Sequence, residues 1–206
     1  MGTGPHFAIC RVEKLKGRAQ LTSRAQHHLR DGPKQPRNAD QARTERNERS
    51  WQAGSAALVD AILERTTPLK KRRDAVDALD ILLTASPSWF SEHGGRGDYT
   101  ELARAAELHL LETFGADNLL AWGVHLDEQT PHVWAVVTPI APDGKLKASH
   151  WCDGPAAMAR LQDSWAKATA HLGLVRGVEG SPSTHVKIRD FYAGIEGNTT
   201  AIASVA

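Results

Sequence analysis

Cysteine is nearly absent from this chain: 206 residues carry two, Cys10 and Cys152, and they form no Cys-x-x-Cys pair. That excludes a disulfide framework and a cysteine-built zinc ribbon, and it fits a reducing compartment. Long apolar runs are missing too; nothing approaches the roughly 18 residues that a membrane-spanning helix needs. The opening "MGTGPHFAIC" has neither the basic start nor the apolar stretch of a secretion signal. The expectation is a soluble, cytoplasmic protein with no membrane partner. Tyrosine is scarce as well, with only Tyr99 and Tyr192.

What is present suits one sizeable domain, because 41% apolar and 24% charged residues are ordinary globular values and the length can bury a core unaided. The net charge of +1 conceals an imbalance. Between Arg11 and Arg73 stand 16 Lys/Arg against 7 Asp/Glu, a balance of +9, which leaves −8 for the rest. A basic first third is the electrostatic footprint expected of contacts to a phosphate backbone. The plainer reading is a solvated charged surface.

Residues 7–15, "FAICRVEKL", read as an opening strand. From Gly17 to about Ser50 the chain is polar, basic and without sustained apolar period, and a functional loop is expected there. A helix is predicted over 51–66, where Ala57, Leu58, Ala61 and Ile62 share a face. The stretch 74–86 is ambiguous by period, and a strand is favoured. A helix follows over 99–114 with Asp98 as its N-cap and Gly115 as its stop, then another over 155–172 opened by Pro155 and closed by Gly173. Residues 1–194 are expected to form the domain, and 195–206, "IEGNTTAIASVA" from Ile195, a tail or the start of a linker.

The informative stretch is "NLLAWGVHLDEQTPHVWAVVTPI", 118–140. Taken as a hairpin with His125 opposite His132, period two assigns every side chain to a face. Leu120, Trp122, Val124, Leu126, Val133, Ala135 and Val137 then share an apolar face that the helices at 99–114 and 155–172 can cover. The other, open face carries the two histidines side by side, and next to them Gly123 opposite Trp134. Opposed histidines on adjacent strands can converge on one metal ion, with Asp127 and Glu128 at the turn able to add oxygen. Two satisfied surface histidines are the plain alternative.

At these residues the chain resembles a known family. "HLDEQTPHVW" is similar to the metal-binding motif of the Mob/Pre plasmid mobilisation relaxases, the MobV class of HUH endonucleases, roughly H-x-D-E-x-T-P-H-x-H. His125, Asp127, Glu128, Thr130, Pro131 and His132 match it in place. "HHLR" (27–30) resembles the family's nucleophile motif H-x-x-R, and "DQARTERN" (40–47) its D-x-x-R-T/S-x-x-N segment, through Asp40, Arg43, Thr44 and Asn47. The likeness covers roughly residues 7 to 175.

The resemblance implies an α+β fold, an antiparallel central sheet of about five strands flanked by helices. It also implies nicking and rejoining of DNA at a transfer origin, through a covalent adduct on the 5′ phosphate. His27 becomes the nucleophile, with His28 as the competing assignment; neither tyrosine lies in the basic third. Glu128 orients or deprotonates it, Arg30 and Arg43 hold phosphates, and Asn47 joins them at the DNA. His125 and His132 hold Mn²⁺ or Mg²⁺. Partners would be the origin hairpin and its single strand, with other mobilisation or conjugation proteins alongside.

One position departs from the pattern. Where the family has a third metal-binding histidine, this chain has Trp134, whose indole offers no lone pair to a metal. Three outcomes are open. Glu128, or next Asp127, completes the site; or metal binding is weak; or catalysis is lost, and an origin-binding protein stacks Trp134 on a base. An unrelated metal-dependent phosphoesterase is the remaining reading, and His150 is a poor substitute ligand because the turn at Asp143–Gly144 sets it near Val137.

Overall fold

The computed structural model describes residues 4–92 and 99–177. Asp98, Tyr192 and the tail from Ile195 lie outside them. Among the described residues six strands form one sheet: β1 (His6–Leu15), β2 (Glu48–Arg49), β3 (Ala78–Ala85), β4 (Leu119–His125), β5 (His132–Val137) and β6 (Leu174–Arg176). Their order is β2-β4-β5-β3-β1-β6, antiparallel throughout except that β6 runs parallel to β1. Among the described residues five α-helices flank it: α1 (Gly17–Leu29), α2 (Ser55–Thr66), α3 (Pro87–Glu92), α4 (Thr100–Phe114) and α5 (Gly154–Ala168). The expected α+β sheet is there, with six strands instead of about five. No described helix is long and apolar enough to cross a membrane.

The hairpin takes the predicted register. His125 pairs with His132, Val124 with Val133 and Gly123 with Trp134. A bulge between Leu119 and Ala121 then shifts the pairing. Beyond it Leu120 packs with the opposite cluster from Trp122, so the strict alternation read from sequence fails at that residue. On the first face, Leu79, Ile81, Leu83, Val124, Val133 and Val137 meet Leu102, Ala106 and Leu110 of α4 and Trp165 of α5. These are the two covering helices anticipated, and Trp89 and Phe90 of α3 join them.

The second face is not open. Leu21, Ala25 and Leu29 of α1, with Leu58, Val59 and Ile62 of α2, close over Ala121, Trp134 and Val136. Helix α1 was expected to be irregular loop. Its buried stripe, Leu21, Ala25, His28 and Leu29, has helical spacing but contains an alanine and a histidine, so it reads faintly by hydrophobicity. Strand β5 is consequently buried on both sides along its whole length.

Candidate metal centre and active site

Helix α1 aims its C-terminus at the hairpin, and the hairpin caps it. The last carbonyls of a helix lack intrahelical partners. Here the Arg30 guanidinium donates to the His27 carbonyl, His125 Nε2 to that of His28 at 3.0 Å, and Arg49 to that of Leu29 at 3.3 Å. Arg30 itself turns the chain with φ 57, the one non-glycine positive φ among the described residues. The two motifs are thereby stitched together by groups that a buried helix end requires.

Asp127 is the clasp. Arg30 Nε and Nη2 donate to its two oxygens at 2.9 and 2.8 Å, and Thr44 Oγ1 adds a bond at 3.1 Å. Asn47 Oδ1 accepts the backbone N–H groups of Leu126 and Asp127 at 2.7 and 3.2 Å, and the Asp40 N–H donates to the Asp127 carbonyl at 2.8 Å. The whole Asp40–Asn47 segment thus wraps the hairpin turn. Burial pushes the Asp127 carboxyl up, yet the bonds and charge of Arg30 and the bond from Thr44 outweigh it and hold it below its ordinary value. With both oxygens engaged, Asp127 stands outside the groups of metal-ligating atoms that converge here. Arg30 is spent on carboxylates rather than open to a phosphate, its side chain 4% exposed. Asn47 braces backbone rather than facing outward, whereas Arg43 is half-exposed with no side-chain partner among the described residues.

The two hairpin histidines have their tautomers set by what lies behind them. His125 is fully buried, and its Nε2 can only donate to the His28 carbonyl. His132 Nδ1 likewise donates to the Thr130 carbonyl at 3.0 Å. A neutral imidazole carries one N–H, so the remaining nitrogens, His125 Nδ1 and His132 Nε2, both present lone pairs. They face each other at 3.1 Å, with Glu128 Oε1 3.7 Å from His125 Nδ1. Two lone pairs and a carboxylate oxygen converging in a buried place call for a cation. A proton is a poor one, because burial and the charges of His132, Arg30 and His28 hold His125 well below its usual pKa. His125, His132 and Glu128 fit a divalent ion, and each histidine already has the backbone partner behind it that metal-bound histidines commonly have.

Glu128 is steadied by Arg30 Nη2 at 2.8 Å and Asn38 Nδ2 at 2.6 Å. The same Oε1 lies 3.6 Å from His27 Nε2. Burial, then the charges of His28, Arg30, Arg24 and His132, push His27 down to about 2, so the imidazole is neutral at working pH. Its side chain is 31% exposed, in contrast to His28 at 4%. Sequence reading missed Asn38, and also Asp80, which accepts from His28 Nε2 at 2.7 Å and from Arg24 Nε at 3.0 Å. A lone carboxylate inside the apolar strand "ALDILLTA" was the available signal.

Trp134 is 1% exposed and stacks on the His28 ring, centroids 4.3 Å apart and planes within 7°. It is therefore closed to a DNA base, because α1 covers the face that was expected to be open. Gly123 is what admits it. A Cβ there would lie 2.8 Å from the indole and 2.2 Å from the Glu48 carbonyl of the edge strand. His150 sits exposed in a short 3-10 helix, Ala148–His150, and is in neither of the groups of converging metal-ligating atoms. Tyr99 donates to Glu48, and that bond with burial raises its pKa to about 12.

Comparison with known proteins agrees with the motifs. A "65 kDa protein" of Zymomonas mobilis is 33% identical over 93% of this chain and 33% of its own length. A "Plasmid recombination enzyme type 3" of Staphylococcus aureus is 29% identical over 87% of this chain and 44% of its own. The chain thus spans a third to less than half of these relatives. Among solved structures, the MobM relaxase domain bound to plasmid pMV158 oriT DNA, in a Mn-bound crystal, superposes with a TM-score of 0.76. The sequences are 21% identical there, and the match covers 91% of this chain and 98% of that one. A second Mn-bound crystal of that relaxase domain, with oriT DNA lacking the 3′-thiophosphate of the first, gives 0.75. The family model for plasmid recombination enzymes matches residues 5–193, and the chain belongs to that Mob/Pre family.

Proposed function

We propose that this domain nicks and rejoins one DNA strand at a plasmid transfer origin by transesterification, with His27 as nucleophile. The observation that carries the reading is one oxygen. Glu128 Oε1 stands 3.6 Å from His27 Nε2 and 3.7 Å from His125 Nδ1, so nucleophile and metal donors meet at one carboxylate. His125, His132 and Glu128 would hold the ion, and the nitrogen–oxygen set suits Mn²⁺, with Mg²⁺ the harder alternative. A divalent cation held there would polarise the scissile phosphate and offset charge in the transition state.

The chain's own residues do the rest. A neutral ring nitrogen of His27 forms an N–P bond as the P–O3′ bond breaks. Glu128 accepts the proton that the ring then holds more weakly, and the departing 3′ oxygen takes one from solvent. Arg30 and Asn38 keep Glu128 in place. The basic segment that carries Lys34, Arg37, Arg43 and Arg46 leads into the Asp40–Asn47 wrap around the hairpin turn and supplies phosphate contacts for hairpin and single-stranded origin DNA. Burial of His28 against Asp80 and Trp134 favours His27 over its neighbour as the attacking residue.

A second reading has one observation behind it: with Trp134 in place of a third imidazole, the domain binds origin DNA without cutting it. Supercoiled origin DNA with Mn²⁺ separates them. The catalytic reading expects a denaturation-resistant, acid-labile protein–DNA adduct that His27→Ala abolishes and His28→Gln retains. Tight origin binding with no adduct in any metal would establish the binding protein instead.

A further inference from the structure

We propose that this site contains a second, competing metal set, His27, His28 and His125, which takes late transition ions such as Zn²⁺ and silences the nucleophile. The inference rests on the reading of His27 above. One ring nitrogen of each of the three lies within 4.8 Å of one on each of the others. Their centroids are 5.4 Å apart for His27–His28 and His27–His125, and 5.7 Å for His28–His125.

The independent observation is at His28. Its Nε2–H is committed to Asp80 at 2.7 Å, so Nδ1 holds a lone pair. That Nδ1 is buried and has no partner, on a residue only 6% exposed. A buried acceptor left unmade is costly and unusual. A carboxylate behind an imidazole whose other nitrogen is vacant is the arrangement that backs metal-bound histidine. Trp134 fixes the ring by stacking on it. The residue that deprives the hairpin set of its third nitrogen thus organises a nitrogen donor in the other set.

The two sets share His125 and differ in kind. His125, His132 and Glu128 include a carboxylate, which manganese and magnesium accept. Three imidazoles have no oxygen, disfavour Mg²⁺ and suit Zn²⁺, Ni²⁺ or Cu²⁺. His27 is the exposed member, so an ion can enter from solvent, and coordination there occupies the nucleophile's lone pair. Zinc would then inhibit by capturing His27, in addition to displacing manganese.

Isothermal titration of the domain with Zn²⁺, beside electron paramagnetic resonance of Mn²⁺ binding, tests this without reference to nicking. His28→Gln should weaken Zn²⁺ binding about tenfold or more while Mn²⁺ affinity stays within about twofold. Glu128→Gln should do the reverse. Equal Zn²⁺ affinity in His28→Gln and wild type, or parallel losses of both ions in both variants, would overturn the second set. X-ray absorption of the Zn²⁺-loaded wild type needs no variant to fold: three imidazoles support the set, and two imidazoles with a carboxylate refute it. Failure of adduct formation in Mn²⁺ would count against the nicking reading alone, and these binding results would stand apart from it.

Discussion

Replacing Trp134 by histidine puts a third imidazole on the strand face that holds His125 and His132, and its consequences divide cleanly between metal-free and metal-bound protein. The indole is 1% exposed, stacked on His28, and its centroid lies 5.9 Å from that of His125, against 5.0 Å for His132. Truncating a buried tryptophan to alanine costs about 3–5 kcal/mol. An imidazole refills part of the space, so Trp134→His should cost roughly 2–3 kcal/mol without metal. For a domain of this size that lowers the melting temperature by about 5–10 °C.

With Mn²⁺ the balance shifts. A third nitrogen donor should tighten binding on the order of tenfold, or about 1.4 kcal/mol. Since ion bound to the native state stabilises it, the gap between variant and wild type should shrink by about that amount at saturating Mn²⁺. Calorimetric melts with and without Mn²⁺, and paramagnetic resonance of the free ion, measure both parts. An unchanged Mn²⁺ affinity would refute the placement of the ion between the hairpin histidines. A metal-free variant as stable as wild type would refute the packing role of the indole.

Three further outcomes follow from the geometry. Gly123→Ala drives a Cβ to 2.2 Å from the Glu48 carbonyl, and should cost about 3 kcal/mol by overpacking, read as a fall in melting temperature. Arg30→Ala leaves Asp127 and Glu128 buried without their cation and should cost about 3–5 kcal/mol in chemical denaturation, with Arg30→Lys recovering part. The metal-free domain should lose stability as pH falls. His27, His28 and His125 are held below their ordinary pKa chiefly by burial, so below about 6.5 the unfolded chain binds protons that the native state refuses. That stability is present above pH 6.5 and declines below it, by up to about 1.4 kcal/mol per pH unit for each histidine, and melts at pH 7.5 and 5.5 detect it.

The parts of the site that were legible in the sequence are those governed by a short period. One assumed pair, His125 with His132, carries Gly123 opposite Trp134 and Val124 opposite Val133, because a strand alternates rigidly over a few residues. The alternation broke at the start of β4, at Leu119 and Leu120, where a bulge inserts a residue that no local pattern announces. Helix α1 was illegible because its inward stripe substitutes His28 and Ala25 for larger apolar groups. That substitution is what makes room for the stack. Trp134 fills the space that a small-residue helix face leaves, Gly123 clears the strand beneath it, and His28 closes the stack. The tryptophan is a lost ligand when only the motif is considered. With α1 in place it becomes the surface that holds His28 against Asp80 and sets the His28 carbonyl on His125 Nε2. That last contact turns the His125 lone pair toward His132. A residue unable to bind metal therefore takes part in aiming the ones that can.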